Sequence, residues 1–130
     1  MTGEFDKTKF NYKYDKKNQV VLKRYHGIIS VQDITSSWDF AINTQLFPKT
    51  IKRFILDYRS AQLDFNRESH LQIAFYYQKR SLFFRKSRIA ILVTDPTLTA
   101  ITVLFGTLDN DYQSKPFSTE KAALKWVMLK

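Results

Sequence analysis

The sequence predicts an α/β domain: one mixed β-sheet, with an opening antiparallel hairpin, βαβ crossovers and about four helices. Three observations predict it. Phe10-Asn-Tyr-Lys-Tyr14 alternates aromatic and polar side chains at the period of a half-buried strand. Helical and strand-like segments then alternate along the chain, which demands parallel crossovers in one sheet. With 130 residues and 44% hydrophobic composition, the chain can bury one core unaided by metal or disulfide.

Each element has a local reason. Asp15-Lys-Lys-Asn18 is a polar turn, and Val20 to Tyr25 is the return strand of the hairpin, with Gly27 expected to close it. Ser30 and Asp33 suit the first turn of a helix that carries Val31, Ile34, Trp38, Ala41, Ile42 and Leu46 and stops before Pro48. The apolar run Phe54-Ile-Leu56 centres a strand over 51–58 that is covered on both faces. Asp64 and Asn66 are rival caps for a long helix reaching Arg85. Residues 88–94 form a second central strand, parallel to 51–58. Asp95-Pro96 opens a helix that ends near Gly106, and Asp109-Asn-Asp111 reads as a turn. Tyr112 to Phe117 contains Pro116 and so belongs at a sheet edge. Ser118-Thr-Glu120 caps a last helix, on which Trp126 is expected to pack against the sheet. Residues 1–9 are polar and expected to fray, and residues 10–130 form a single domain.

Composition narrows the chemistry. There is no Cys, which excludes a thiol nucleophile, a disulfide or a zinc–thiolate centre. Three glycines cannot build a phosphate-cradling loop. His26 and His70 lack acidic or nucleophilic neighbours at catalytic spacing, and no metal-ligand pattern occurs. The reading is therefore of a non-enzyme without cofactor. No apolar run approaches the length of a membrane span and no leader opens the chain, so a cytoplasmic location is expected. The formal net charge of +9 is concentrated: residues 1–27 hold seven Lys/Arg against three acids, and residues 67–88 hold six against Glu68. The stretches between and after them are balanced.

The hairpin ending in Gly27, the runs Phe54-Ile-Leu-Asp-Tyr58 and Arg88-Ile-Ala-Ile-Leu-Val93, and Phe117-Ser-Thr-Glu-Lys-Ala-Ala-Leu-Lys-Trp126 together resemble the SpoIIAA-like family, small bacterial domains related in fold to STAS domains. The resemblance spans roughly 10–129. It implies a mixed sheet with helices packed against it, and a regulatory or binding role without catalysis. STAS anti-sigma antagonists carry a phosphorylatable serine in an Asp-Ser-Ser-Gly-type turn. Here the corresponding region reads Leu63-Asp-Phe-Asn-Arg-Glu-Ser69, so no phosphosite is assigned.

Two candidate surfaces follow. At 100° per residue the 67–85 helix carries two apolar stripes. Leu71, Ala74, Phe75 and Leu82 are assigned to the sheet. Ile73, Tyr76, Tyr77, Phe83 and Phe84, rimmed by Arg80, need a second cover: a neighbouring helix of the same domain, or, as the candidate interface, a second copy or another protein. A weaker ligand pocket is placed at the carboxyl ends of the central strands, with Asp57, Tyr58, Arg59 and Thr94. The alternative reading is a basic domain that binds nucleic acid, anionic lipid or a small hydrophobic ligand.

Overall fold

The computed structural model describes residues 8–94 and 112–129. The helix expected over 95–106, the turn at Asp109–Asp111 and most of the expected frayed start lie outside them. The strands are β1 (Phe10–Asp15), β2 (Val20–Ile29), β3 (Arg53–Leu63), β4 (Arg88–Leu92) and β5 (Gln113–Phe117). The helices are α1 (Val31–Asn43), α2 (Ser69–Lys79), α3 (Ser81–Phe84) and α4 (Glu120–Val127). The five strands lie side by side in chain order. β1 and β2 are antiparallel, and every later pairing is parallel. The two central segments, 51–58 and 88–94, are therefore adjacent parallel strands, and Pro116 sits on the β5 edge, both as expected.

Capping chemistry sets the helix starts. Ser30 Oγ accepts from the Asp33 amide at 3.1 Å while Asp33 accepts from the Ser30 amide at 2.9 Å, a reciprocal box that fixes the entry to α1. Thr119 Oγ1 accepts from the Ala122 amide at 3.2 Å and opens α4.

Three boundaries differ from expectation. β2 does not end at Gly27 but runs on to Ile29, and Gly27 takes φ +77° within it, a conformation that favours glycine. β3 does not end at Tyr58 but continues to Leu63, because the extended β2 supplies pairing partners for Ser60 to Leu63. Between Arg24↔Asp57 and His26↔Ser60 the β3 side holds one extra residue, a bulge. The long helix starts only at Ser69 and is interrupted at Arg80, which separates α2 from the single turn of α3.

α1, α2 and α3 pack on one face of the sheet. Their buried residues merge with Phe10, Val21, Tyr25, Phe54, Leu56 and Tyr58 into the main core. α4 packs on the other face, over a smaller cluster of Val20, Ile55, Ala90, Leu92, Ala123 and Val127. Trp126 is only half-buried there, with Ala123 and Val127 taking the buried positions instead.

Candidate functional site

The aromatic stripe assigned to an interface lies inside the domain. Ile73, Tyr76, Tyr77, Phe83 and Phe84 are all buried, Phe84 completely. Tyr77 and Phe84 meet edge to face at 4.5 Å, and Phe84 meets Trp38 of α1 at 5.0 Å. Arg80 does not rim a free patch: with Tyr76 it donates to Asp39 Oδ1 of α1, both at 2.6 Å. The two stripes are thus exchanged. The larger aromatic one fills the space against the sheet and α1, whereas Leu71, Phe75 and Leu82 face outward at 49%, 67% and 85% exposure. Ala74, the smallest member of that stripe, is buried.

The carboxyl-end residues do not converge on one pocket. Asp57 sits where β3 bulges, and its carboxylate accepts the Arg59 backbone amide at 3.0 Å, Arg59 Nε at 2.9 Å and Arg59 Nη2 at 2.9 Å. Arg24 approaches the same carboxylate at 3.5 Å and Glu120 of α4 at 3.5 Å. Burial alone would raise the Asp57 carboxyl, but the bonds from Arg59 and the charges of Arg59 and Arg24 outweigh it and hold it below the ordinary value. Tyr58 points to the opposite face, stacked on Tyr25 with ring centroids 4.1 Å apart, and Thr94 is exposed. Asp57 is thereby committed to a structural task, holding a backbone N–H that the bulge takes out of the ladder.

The structure also reveals a group that sequence reasoning passed over. Lys23 of β2 is wholly buried on the α1 face. Its Nζ donates to Ser37 Oγ and lies 4.2 Å from the Trp38 ring, 4.6 Å from Tyr25, 5.2 Å from Tyr12 and 5.3 Å from Phe10. Burial drives its ammonium well below the ordinary value, while the ring faces offer it partial compensation. The signal was present in the alternation, since Lys23 falls on the same strand face as Val21 and Tyr25.

Electrostatics differ between the two ends of the sheet. Where β4 and β5 end, Arg24 and Arg59 are balanced by Asp57 and Glu120. Where β2, β3 and β4 begin, Arg53 donates to the Asn18 carbonyl at 2.7 Å and Arg88 to the Trp126 and Leu129 carbonyls at 3.0 and 2.6 Å. These bonds fix the arginines without neutralising them. Among the described residues no group of three His, Cys, Asp or Glu side chains is placed to hold a metal, and no helix is long and apolar enough to cross a membrane.

Comparison with known proteins reaches the fold. No family model matches the chain, and no curated protein does. The chain is similar to a solved structure described as an uncharacterized protein from the DUF3478 family with a SpoIIAA-like fold, from Shewanella loihica PV-4. The two are 13% identical, the match covers 91% of each chain, and the TM-score is 0.59. At that identity the likeness establishes the SpoIIAA-like architecture and nothing of activity.

Proposed function

We propose that this chain is a non-enzymatic binding or regulatory module that works by protein–protein contact, with self-association through the outward stripe of α2. The observation that carries the reading is the exposure of Leu71 and Phe75, one helical turn apart on the same outward face. The flanking Gln72 and Gln78 are uncharged and exposed, and Lys79, one turn beyond Phe75, is the cation at the end of the stripe. The SpoIIAA-like fold is compatible with such a role. The ionisable side chains described above support it too, since Asp57, Arg59, Asp39 and Arg80 are spent on structural bonds.

Light scattering of the full chain over a range of concentrations tests this. The expected result is a concentration-dependent dimer that Leu71→Ser with Phe75→Ser converts to a folded monomer. A parent protein that stays monomeric at high concentration overturns the self-association.

A further inference from the structure

We propose that the end of the sheet at which β2, β3 and β4 begin is a docking surface for an anionic phospholipid bilayer. The two basic blocks that lie far apart in the sequence meet there. Lys16 and Lys17 form the tip of the hairpin ahead of β2, and Arg85 and Lys86 form the turn ahead of β4. Lys49 and Lys52, ahead of β3, lie between them. Contacts tie the three segments together: Arg53 reaches the Asn18 carbonyl of the hairpin turn, and Lys52 Nζ reaches the Phe83 carbonyl of α3 at 3.4 Å. The Lys52 ammonium is lowered by partial burial and then by the charges of Arg85 and Lys86.

Their charge is left over. Among the described residues the ion pairs engage Lys9, Arg24, Arg59 and Arg80, and none of the six cations at this end. Asp15, which adjoins them in the chain, accepts from Asn18 at 2.8 and 3.1 Å and offsets part of the charge of Lys17 alone. Asp109 and Asp111, which precede β5 in the sequence, lie outside the described residues and are fewer than these cations. Lys86 adopts φ 60°, a left-handed conformation in which a side chain is strained and glycine is favoured.

Apolar side chains distinguish a bilayer from other polyanions. Leu46 is 45% exposed and Leu82 85% exposed. Leu46 lines a surface hollow with Tyr14 and Lys49, and Leu82 lines a second with Ile42, Lys49 and Arg80. The two hollows share Lys49, so both leucines lie beside the same cation of this end. Aliphatic tips beside Lys and Arg match an anionic interface, where the leucines enter the acyl boundary and the cations meet headgroup phosphates and carboxylates. A single strand of nucleic acid held by base stacking would need exposed rings at this end. Here Tyr76, Tyr77, Phe83 and Phe84 are buried and Tyr14 is half-buried against the core.

Flotation of the full chain with phosphatidylcholine vesicles, with and without about one-third phosphatidylserine, tests the proposal. The expected result is binding to the anionic vesicles only, weakened by salt. Lys49→Glu with Lys86→Glu should reduce it by more than about twenty-fold, since each cation near the surface contributes roughly fivefold. Arg67→Glu with Lys121→Glu makes the same change in net charge outside this end and should retain most of the binding. Leu82→Ser leaves the charge intact and should weaken vesicle binding about tenfold. Lys86→Gly removes one charge at a φ that favours glycine, and a melting curve matching the parent's shows that its weaker binding is not unfolding. Phe75→Ser should bind vesicles like the parent, which separates this surface from the α2 stripe. Binding indifferent to phosphatidylserine, or lost equally in both charge-reversed variants, overturns the proposal. So does capture of a single-stranded oligonucleotide that Lys49→Glu with Lys86→Glu abolishes and Leu82→Ser leaves intact, in the absence of vesicle binding.

Discussion

The two faces of the sheet are built on different principles. The face under α1, α2 and α3 is packed with rings: Trp38 meets Phe84 at 5.0 Å, Phe54 at 5.5 Å and Tyr12 at 6.2 Å, mostly edge to face. The face under α4 buries small and aliphatic side chains, and its rings, Phe117 and Trp126, are only partly covered. α4 has eight residues, and the outer face of β2 beyond its reach leaves His26 and Ile28 exposed. Aromatic burial supplies large area per residue, and edge-to-face pairs add roughly 0.5–1.5 kcal/mol each beyond it. The ring-packed face therefore holds the fold together, while the α4 face is a lightly anchored cover. The strongest way to break that comparison is Trp38→Ala. Trp38 is fully buried, and emptying its site should destabilise the domain by about 3–5 kcal/mol in denaturant unfolding. A loss below about 1 kcal/mol would mean that the face is not the anchor.

Lys23 is the exception inside the ring-packed face, and it sharpens the comparison through pH. Its folded pKa is depressed by burial, so below the ordinary 10.5 the unfolded chain binds a proton that the folded chain gives up more readily. Stability should then rise with pH across the alkaline range. Tyr12, Tyr25, Tyr58 and Tyr77 act in the opposite sense: burial raises each above the ordinary 10.0, so stability falls once the unfolded tyrosines ionise. The expected profile climbs toward pH 10 and then declines. Lys23→Met should remove the climb, keep the decline and add about 2 kcal/mol near neutrality. A parent profile that is flat from neutral pH to 10 would show that the ring faces hold the charged ammonium at no net penalty.

On the α4 face, Asp57 gives a smaller effect with the same pH sign but in the acid range. Its folded pKa is held below 3.8 by Arg59 and Arg24, so its contribution is complete above 3.8 and is lost as pH falls through the folded value. Asp57→Asn should destabilise by about 1–2 kcal/mol at neutral pH and flatten the acid limb of the stability profile. Equal acid sensitivity of parent and variant would assign that limb to other carboxylates.

What the sequence revealed of this structure follows the range of the interactions involved. The five strands, the opening hairpin and the caps at Ser30 and Thr119 were legible because they depend on local periodicity and on side chains within one turn. The continuation of β3 through Ser60, Ala61 and Gln62 was not, since that stretch has no apolar run and becomes a strand only by pairing with His26, Gly27 and Ile28. The faces of α2 were legible as two stripes but not as inside and outside. Both are apolar, and the choice is made by Asp39, which draws Tyr76 and Arg80 toward α1, and by the ring volume that Trp38 and Phe54 require. The amino-end cluster escaped for a related reason. Its cations were counted as two blocks, and only the parallel topology brings Lys17 and Lys86 to the same end.

The mildest test lies at Trp126, where sequence reasoning expected a mostly buried anchor. Its ring meets Phe117 at 5.6 Å and the Arg88 guanidinium at 5.8 Å, and it remains half-exposed. Arg88 bonds the Trp126 carbonyl, a backbone contact that survives truncation of the side chain. Trp126→Ala should therefore destabilise by only about 1 kcal/mol, well below the effect at Trp38, because much of its surface already faces water. The chain has two tryptophans, so fluorescence reports each face separately. Trp126→Phe should leave the blue-shifted, iodide-resistant emission of Trp38. Trp38→Phe should leave a redder emission from Trp126 that iodide quenches. If Trp126→Ala instead unfolds the domain as readily as Trp38→Ala, α4 is a second anchor and the two faces are not different in kind.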